Sequence, residues 1–343
     1  MVITAFSLPS GGWPRWWIRP PGLLARCLGP FIARWMRAKH RRIARTTMDT
    51  SQVPVVVIGN IVLGGTGKTP VVANLVTALR AAGFSPGIVS RGYGRSGRTG
   101  TRAVTPYSDP VEVGDEPVML AAQCGVPLIV GARRRDAVHR VIHDHSVDVV
   151  VCDDGLQHEG LGRDLSICVF SATQGVGNGQ VLPFGPLREP LDVVNDYDAV
   201  VVRHTDDAEA ALVHMGVSIQ QPVFQSLNGS LAVYRSDQPD TRWPLTHFSG
   251  QTFQAVAGIA NPKVFFDGLQ DAGLLITEHV FADHHAYTED DVALLGEPLI
   301  TTEKDAVKLV HLSPSPIWVV ALETEQAALN AWVIAQLQQW STT

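Results

Sequence analysis

A glycine-rich stretch that ends in a lysine and a threonine is the clearest chemical motif in the sequence. It reads Gly64-Gly65-Thr66-Gly67-Lys68-Thr69 and follows the apolar run from Val55 to Ile61. Glycines let backbone N–H groups close around phosphate oxygens, and the N-terminus of a following helix favours the same negative charge. The pattern predicts a loop that binds the phosphates of ATP, with Lys68 at the β- and γ-phosphates and Thr69 on Mg²⁺. The alternative is a turn without a ligand.

Two adjacent aspartates supply the acidic group that such a loop requires. Asp153 and Asp154 follow the apolar run Val149-Val150-Val151-Cys152. An apolar strand that ends in aspartate places a carboxylate beside Mg²⁺ at the ligand-binding edge of a parallel sheet. A strand of this kind is usually structural when it occurs alone. Because the phosphate loop is also present, we interpret both aspartates as metal-binding candidates.

Short apolar runs that alternate with helical stretches provide the elements that position these loops. Continuous runs of this kind predict a parallel sheet covered by helices on both faces, as in P-loop NTPases. After about residue 220 the runs become shorter and resemble hairpins, which predicts a smaller α/β lobe. We therefore predict three segments: an N-terminal segment over residues 1–50, a P-loop core over 51–220 and a C-terminal lobe over 221–343. The predicted buried strands of the core are Val55–Ile61, Gly87–Ser90, Pro127–Val130, Val147–Cys152, Leu165–Phe170 and Ala199–Val202.

Charge is unevenly distributed along the 343 residues, whose formal net charge is -6. This net charge gives no indication of nucleic-acid binding. Residues 1–50, however, contain nine Lys or Arg and one acid, Asp49. The pattern from Leu23 to Arg45 predicts a basic amphipathic helix, and tryptophans precede it, so we expect this segment to bind an anionic membrane surface. The alternative is a helix packed on its own domain. We expect deletion of residues 1–45 to leave a soluble, ATP-binding core.

Two other classes of protein are disfavoured by the composition. The sequence has no uninterrupted run of about 20 apolar residues, so a conventional spanning helix is not expected. The four cysteines form no CxxC pair, which disfavours a disulfide framework or a zinc site. No protein partner is inferred.

Seven further segments carry a resemblance to a known family. Together with the phosphate loop, the sequence resembles the tetraacyldisaccharide 4'-kinases of lipid A biosynthesis along essentially its whole length. The matching segments are Gly59-Asn60, Ser90-Arg91-Gly92-Tyr93-Gly94, Gly114-Asp115-Glu116-Pro117, Asp153-Asp154-Gly155-Leu156-Gln157-His158, Leu182-Pro183-Phe184-Gly185-Pro186-Leu187-Arg188-Glu189-Pro190, Phe281-Ala282-Asp283-His284-His285 and Thr302-Glu303-Lys304-Asp305-Ala306-Val307-Lys308.

The resemblance implies a substrate and a location. It implies transfer of the γ-phosphate of ATP to the 4'-hydroxyl of an acylated glucosamine disaccharide 1-phosphate, which forms lipid IVA. It also implies peripheral or monotopic attachment to the cytoplasmic face of the bacterial inner membrane.

The resemblance also implies roles for individual residues. Asp115 matches the catalytic base, and His284 matches a histidine that assists it. Glu116 is a further metal-binding candidate. Arg188 and Asn60 are candidates for substrate binding. A carboxylate base is chemically required, because a sugar hydroxyl is a poor nucleophile until its proton is accepted.

Several alternatives stay open from the sequence alone. Either His284 or His285 could face Asp115. Arg134 could stabilise charge on the γ-phosphate or lie on a solvated face, and the roles of Tyr93 and Lys304 are undecided. For the whole chain, the alternatives are a P-loop GTPase of the metallochaperone type and a non-catalytic nucleotide switch at the membrane.

Overall fold

The computed structural model describes residues 13–44, 53–93, 95, 100–259 and 261–340. Helices and strands alternate over most of this length. In chain order they are α1 (Leu23–Ala44), β1 (Val55–Gly59), α2 (Lys68–Ala81), β2 (Pro86–Ser90), β3 (Thr101–Val104), α3 (Pro110–Val113), α4 (Asp115–Cys124), β4 (Leu128–Gly131), α5 (Arg134–Asp144), β5 (Val149–Asp153), β6 (Leu165–Ser171), β7 (Ala199–Arg203), α6 (Ala208–His214), β8 (Val223–Arg235), β9 (Gln238–Pro244), β10 (Thr252–Ala257), α7 (Pro262–Asp271), β11 (Leu275–Val280), α8 (Glu289–Ala293), β12 (Leu299–Thr302), α9 (Glu303–Leu309), β13 (Trp318–Glu325) and α10 (Ala327–Trp340).

The chain divides into two compact units, and each is assembled from separate stretches of sequence. The first unit contains the described residues up to Arg91, the stretch Arg133–Leu227 and the chain from Glu325 onward. The second unit contains Gly92–Ala132 and Asn228–Thr324. These units differ from the contiguous segments predicted with boundaries at residues 50 and 220. The sequence pattern gave no sign that residues 92–132 associate with the C-terminal half, because that association depends on contacts between distant parts of the chain.

A parallel sheet with the strand order β8-β7-β6-β1-β5-β2 forms the centre of the first unit. Every residue of β1, β2, β5, β6 and β7 is buried. A strand that is buried at every position has both of its faces covered, and this explains why the sequence shows continuous rather than alternating apolar runs. The predicted α/β class is confirmed.

Because β1 and β5 are neighbouring strands, the glycine-rich loop and the pair of aspartates lie close together. In the register of these strands, Ile58 lies beside Asp153. Since the strands are parallel, the loop after β1 and the aspartates at the end of β5 emerge at the same edge of the sheet. This is the edge at which open α/β sheets bind their ligands.

The second unit contains two sets of strands. Strands β3 and β4 pair antiparallel. The other set has the order β11-β10-β12-β13-β8, and β9 pairs antiparallel with β8. Its core includes Phe253, Phe266 and Leu269, all of them buried. The hairpin-like pattern after residue 220 also predicts a strand over Trp243–Phe248, and this is wrong, because β9 ends at Pro244 and a 3₁₀ helix spans Leu245–Phe248.

Helix α1 packs one face against its own unit and exposes another. Ala25, His40 and Ile43 are buried. The side chains of Leu24, Leu28, Phe31 and Trp35 share one stripe by helical spacing, and all are exposed. In the part of the chain that the structure describes, no helix has the length and apolar character needed to span a bilayer.

The tryptophans before α1 do not behave as one group. Trp16 is exposed, whereas Trp17 is buried and its Nε1 donates a hydrogen bond to Pro183 O at 3.0 Å. Trp13 Nε1 donates to Leu63 O at 3.0 Å. The expectation that all of these rings are membrane anchors is therefore too simple, because two of them hydrogen-bond to the first unit itself.

Candidate active site

The phosphate loop joins the end of β1 to the start of α2. Gly67 precedes the helix in the left-handed region, with φ of 75°, and a β-carbon there would collide with Arg203. Both observations explain why glycine is needed at this position. The N-cap residue of α2 is Gly67, which has no side chain to cap the helix. Its first backbone N–H groups can therefore bind an anion, as the sequence pattern predicts.

Asn60 stabilises the phosphate loop through hydrogen bonds from its side chain. Its side chain is completely buried, and Nδ2 donates hydrogen bonds to Val62 O at 2.7 Å and Thr66 Oγ1 at 3.0 Å. A buried side chain with these partners stabilises the loop and does not present its amide to solvent. We therefore propose that Asn60, expected from the sequence to bind substrate, acts on the substrate through the shape of the loop.

Asp154 is the point at which two cationic side chains meet. Arg188 Nη1 donates hydrogen bonds to its two carboxylate oxygens at 3.1 and 3.2 Å, and Lys68 Nζ lies 3.5 Å from Oδ1. Burial by itself would raise the pKa of Asp154, but the charges of Lys68 and Arg188 outweigh it and lower that pKa below its ordinary value. The group is thus an anion with two cations beside it, at the position where a phosphate would compete for them.

Arg188 reaches this point because its segment is attached to the phosphate loop. Val62 forms an isolated antiparallel bridge with Leu187, and Arg188 N donates to Ile61 O at 2.7 Å. Arg134 also approaches Asp154, since it is buried and its Nη2 donates to Asp154 O at 3.4 Å. The alternative that Arg134 lies on a solvated face is wrong.

The donor set around Thr69 suits Mg²⁺ bound together with nucleotide phosphates. Thr69 is the second residue of α2, Asp153 ends the strand β5 beside β1, and Asp154 follows in the turn after that strand. Among the described residues, no three His, Cys, Asp or Glu side chains form a metal-binding group. A hydroxyl and carboxylates from the protein leave several Mg²⁺ positions for phosphate and water oxygens, which is how Mg²⁺ usually binds in such sites. Glu116 belongs to the second unit, where it follows Asp115 in the first turn of α4.

Asp115 is the centre of a separate cluster within the second unit. Its Oδ2 lies 3.1 Å from His284 Nδ1 and accepts a hydrogen bond from Lys308 Nζ, also at 3.1 Å. Burial tends to raise the pKa of Asp115, but the hydrogen bond from His284 and the charge of Lys308 lower it overall. Asp115 is therefore ionised at neutral pH, which is the state that a proton acceptor needs.

The two adjacent histidines face different partners. His284 contacts Asp115, and its Nε2 lies 3.2 Å from Lys304 Nζ. His285 Nε2 lies 3.2 Å from Asp291 Oδ2, in the first turn of α8. His284 also has a φ of 61°, a conformation that is unfavourable for a residue with a side chain and that often occurs at functional sites.

A cavity of about 590 Å³ opens beside this cluster. Asp115, His284 and Lys308 lie at its wall, together with Tyr93 and Tyr107. The Tyr93 ring is exposed, and its centroid is 6.1 Å from that of His284. The cavity has the size of a small-molecule site. Its aromatic and charged lining suits a sugar ring and a hydroxyl that loses its proton.

Sequence reasoning missed two contributors to these clusters. Lys308 lies within one of the family motifs, but its sequence context assigns it no role, and only its contact with Asp115 reveals one. Glu189 follows Arg188 directly, and it proves to be buried and hydrogen-bonded to His40, Gln157 and Tyr197. A buried glutamate cannot be recognised from one sequence, because glutamate is ordinarily exposed.

The chain is similar to known proteins along most of its length. The family model described as tetraacyldisaccharide-1-P 4'-kinase matches residues 18–338. The tetraacyldisaccharide 4'-kinase of Methylobacillus flagellatus is 42% identical over 288 residues, covering 83% of this chain and 82% of the relative. The enzyme of the same name from Halorhodospira halophila is 42% identical over 321 residues, covering 91% and 92%.

A solved structure is similar over most of the chain. The crystal structure of LpxK from Aquifex aeolicus in complex with ATP superposes with a TM-score of 0.73 at 26% sequence identity, covering 92% of this chain and 100% of that one. The family match does not favour the alternative of a metallochaperone GTPase, and it confirms the resemblance inferred from the motifs. The chain belongs to the tetraacyldisaccharide-1-phosphate 4'-kinase family.

Proposed function

We propose that the chain transfers the γ-phosphoryl group of ATP to the 4'-hydroxyl of a tetraacylated glucosamine disaccharide 1-phosphate, which yields lipid IVA. The family match over residues 18–338 is the observation that carries the choice of substrate. The site geometry supports the reaction type, because the first unit offers a phosphate-binding helix N-terminus and the second offers a carboxylate held by a histidine.

The donor residues have distinct tasks in this reaction. The backbone N–H groups at the start of α2 bind phosphate oxygens, and Lys68 neutralises charge on the β- and γ-phosphates. Arg188, which lies against Asp154, is placed to exchange part of that contact for a phosphate or sugar oxygen. Thr69, Asp153 and Asp154 would hold Mg²⁺, which would supply positive charge that stabilises the transferring group.

The acceptor residues manage the proton. As the bond from the 4'-oxygen to phosphorus forms and the bond to the leaving ADP oxygen breaks, the hydroxyl proton moves to Asp115. His284 orients the carboxylate from 3.1 Å, and Lys308 holds the same oxygen. The other carboxylate oxygen of Asp115 then accepts the proton.

The substrate also accounts for the exposed face of α1. A lipid with four acyl chains stays in the bilayer, so the enzyme has to act at the membrane surface. The exposed apolar stripe Leu24, Leu28, Phe31 and Trp35 can enter the interfacial region, while the exposed basic side chains of α1 bind anionic headgroups at about 1 kcal/mol each. We propose that this association takes place at the cytoplasmic face of the inner membrane.

Phosphorylation assays test the proposed activity. Purified protein, [γ-³²P]ATP and a panel of acylated glucosamine disaccharides should give a labelled lipid only when the acceptor has a free 4'-hydroxyl. Label transfer from GTP at the same rate, or hydrolysis without transfer to any lipid, would favour a GTPase or a nucleotide switch instead.

Vesicle co-sedimentation tests the membrane proposal. Wild-type protein should bind anionic vesicles at low salt and less at high salt, because salt screens the headgroup attraction. A Leu28→Ser/Phe31→Ser variant should bind less at both salt concentrations. Lys263→Ala is a matched control, since Lys263 lies on the second unit and pairs with Asp267 at 2.7 Å. Binding of all three proteins to the same extent would contradict the role of α1.

A further inference from the structure

Helix α1 contains a buried histidine, His40. His40 is 1% exposed, and its Nδ1 lies 2.8 Å from Glu189 Oε1. Because an ionised carboxylate can only accept, Nδ1 must carry the hydrogen and donate it. Its Nε2 lies 3.2 Å from Asp196 Oδ2. The imidazole thus lies between two carboxylates, in a helix whose opposite stripe is exposed. Membrane binding alone does not require such a residue, because it needs only the exposed stripe.

Glu189 links His40 to residues that lie next to the phosphate loop. Its Oε2 accepts hydrogen bonds from Gln157 Nε2 at 2.7 Å and from Tyr197 OH at 2.8 Å. Burial would raise the pKa of Glu189, but the hydrogen bonds from His40, Gln157 and Tyr197 lower it, so the carboxylate is an anion. A buried carboxylate with this many donors has a fixed position, since each lost donor would leave charge unsatisfied.

Gln157 connects Glu189 to the loop itself. The same Nε2 atom donates to Asn60 O at 3.0 Å, and Asn60 Nδ2 in turn donates to Val62 O and Thr66 Oγ1. An unbroken series of hydrogen bonds therefore runs from α1 to the glycine-rich loop. The start of the N-terminal segment makes a second, direct contact, since Trp13 Nε1 donates to Leu63 O.

We propose that α1 is a positioning element of the nucleotide site as well as a membrane contact, and that His40 shapes the phosphate loop through Glu189, Gln157 and Asn60. This inference rests on the proposed function, in which that loop binds ATP. Docking of α1 then preorganises the loop. The contacts also argue against the expectation that a chain lacking residues 1–45 keeps an intact ATP-binding core, because the deletion removes His40 and Trp13 together.

Point substitutions separate positioning from membrane binding. His40→Ala removes the donor to Glu189, whereas His40→Asn places an amide N–H near the position of Nδ1 and should rescue part of the effect. Arg37→Ala is the matched control one helical turn away, because Arg37 pairs with Asp192 at the surface at 2.6 Å and such pairs contribute little. Each variant is measured for affinity toward a non-hydrolysable ATP analogue, KM for ATP and for acceptor in detergent micelles, vesicle binding and Tm.

The expected pattern is specific to the nucleotide. His40→Ala should weaken analogue binding and raise KM for ATP by about 10-fold. The reason is that a buried carboxylate that loses a hydrogen-bond donor changes an equilibrium constant by about 10-fold. The KM for acceptor and the binding to vesicles should stay near wild-type values. His40→Asn should recover part of the loss, and Arg37→Ala should keep the wild-type affinity for the analogue and the wild-type KM for ATP. Wild-type analogue affinity in folded His40→Ala, or an equal loss in Arg37→Ala, would overturn the inference.

A second variant covers the case in which His40→Ala does not fold. Gln157→Leu leaves the contact between His40 and Glu189 in place but cuts the link to Asn60. It should weaken the binding of the ATP analogue, and wild-type affinity in this variant would overturn the inference. Analogue binding requires no acceptor, so a wild-type protein that fails to phosphorylate lipid would contradict the proposed function and leave these comparisons valid.

Discussion

His284→Ala should lower turnover and His285→Ala should lower stability, although the two residues are adjacent. His284 contributes one charged hydrogen bond, 3.1 Å from Asp115 Oδ2. A hydrogen bond to a charged group contributes about 1.5–3 kcal/mol, which corresponds to roughly a 10- to 150-fold fall in kcat if the bond persists in the transition state. Because its imidazole lies near the surface of the cavity, we expect only a small change in Tm.

His285 should show the reverse behaviour. Its ring centroid lies 4.8 Å from that of Phe281 and 5.0 Å from that of Tyr287, and its Nε2 is 3.2 Å from Asp291. Two aromatic contacts and a hydrogen bond together contribute about 2–4 kcal/mol to the free energy of unfolding. The variant should therefore lose roughly 5–10 °C in Tm while its kcat stays within a few-fold of wild type.

Steady-state kinetics and thermal unfolding of both variants check this prediction. The ratio of the two kcat values is the decisive number, because a shared loss of stability affects both variants. Equal kcat values in the two folded proteins, or a wild-type kcat in His284→Ala, would refute the assignment of His284 to the reaction.

The remaining predictions concern charge and backbone shape. Lys68→Ala should abolish phosphoryl transfer with little change in Tm, since we propose that the charge of Lys68 serves the phosphates; transfer at the wild-type rate would contradict this role. Lys308→Met removes a cation that lowers the pKa of Asp115, so that pKa should rise and the acidic limb of kcat/KM should move to higher pH; a limb that stays in place, or moves to lower pH, would contradict it. Gly67→Ala should weaken ATP binding, measured by calorimetry, because a β-carbon would collide with Arg203 in a left-handed conformation that costs about 1–2 kcal/mol; unchanged affinity would show that the loop adapts.

The sequence predicted those parts of the fold that depend on local patterns. Buried parallel strands give continuous apolar runs, so β1 and β5 were located to within about two residues. The start of α2 was found at Lys68, because the glycines before it mark the end of the preceding loop. The same local logic made the phosphate loop and the aspartates after β5 recognisable as one site.

Contacts between distant residues were beyond the reach of those patterns. The stretch 92–132 belongs to the second unit, although it lies between two parts of the first in sequence. Lys308 is 193 residues from Asp115, and His40 is 149 residues from Glu189. Nothing in the local sequence marks His40, because a histidine in a basic helix reads as one more polar residue until its burial is known. The resemblance favoured His284 over its neighbour, but only the fold shows that His284 contacts Asp115 and that His285 contacts Asp291.

The position and fate of the transferred phosphate give the most direct test of the central claim. Wild-type protein and Asp115→Asn are each incubated with [γ-³²P]ATP and tetraacyldisaccharide 1-phosphate, and the labelled lipid is analysed to locate the new phosphate. We predict one labelled product, phosphorylated at the 4'-oxygen, and an initial rate lower by about 10²- to 10⁴-fold in Asp115→Asn, with unchanged affinity for an ATP analogue. Label at another position, or an undiminished rate in Asp115→Asn, would contradict the assignment of Asp115 as the base of a 4'-kinase.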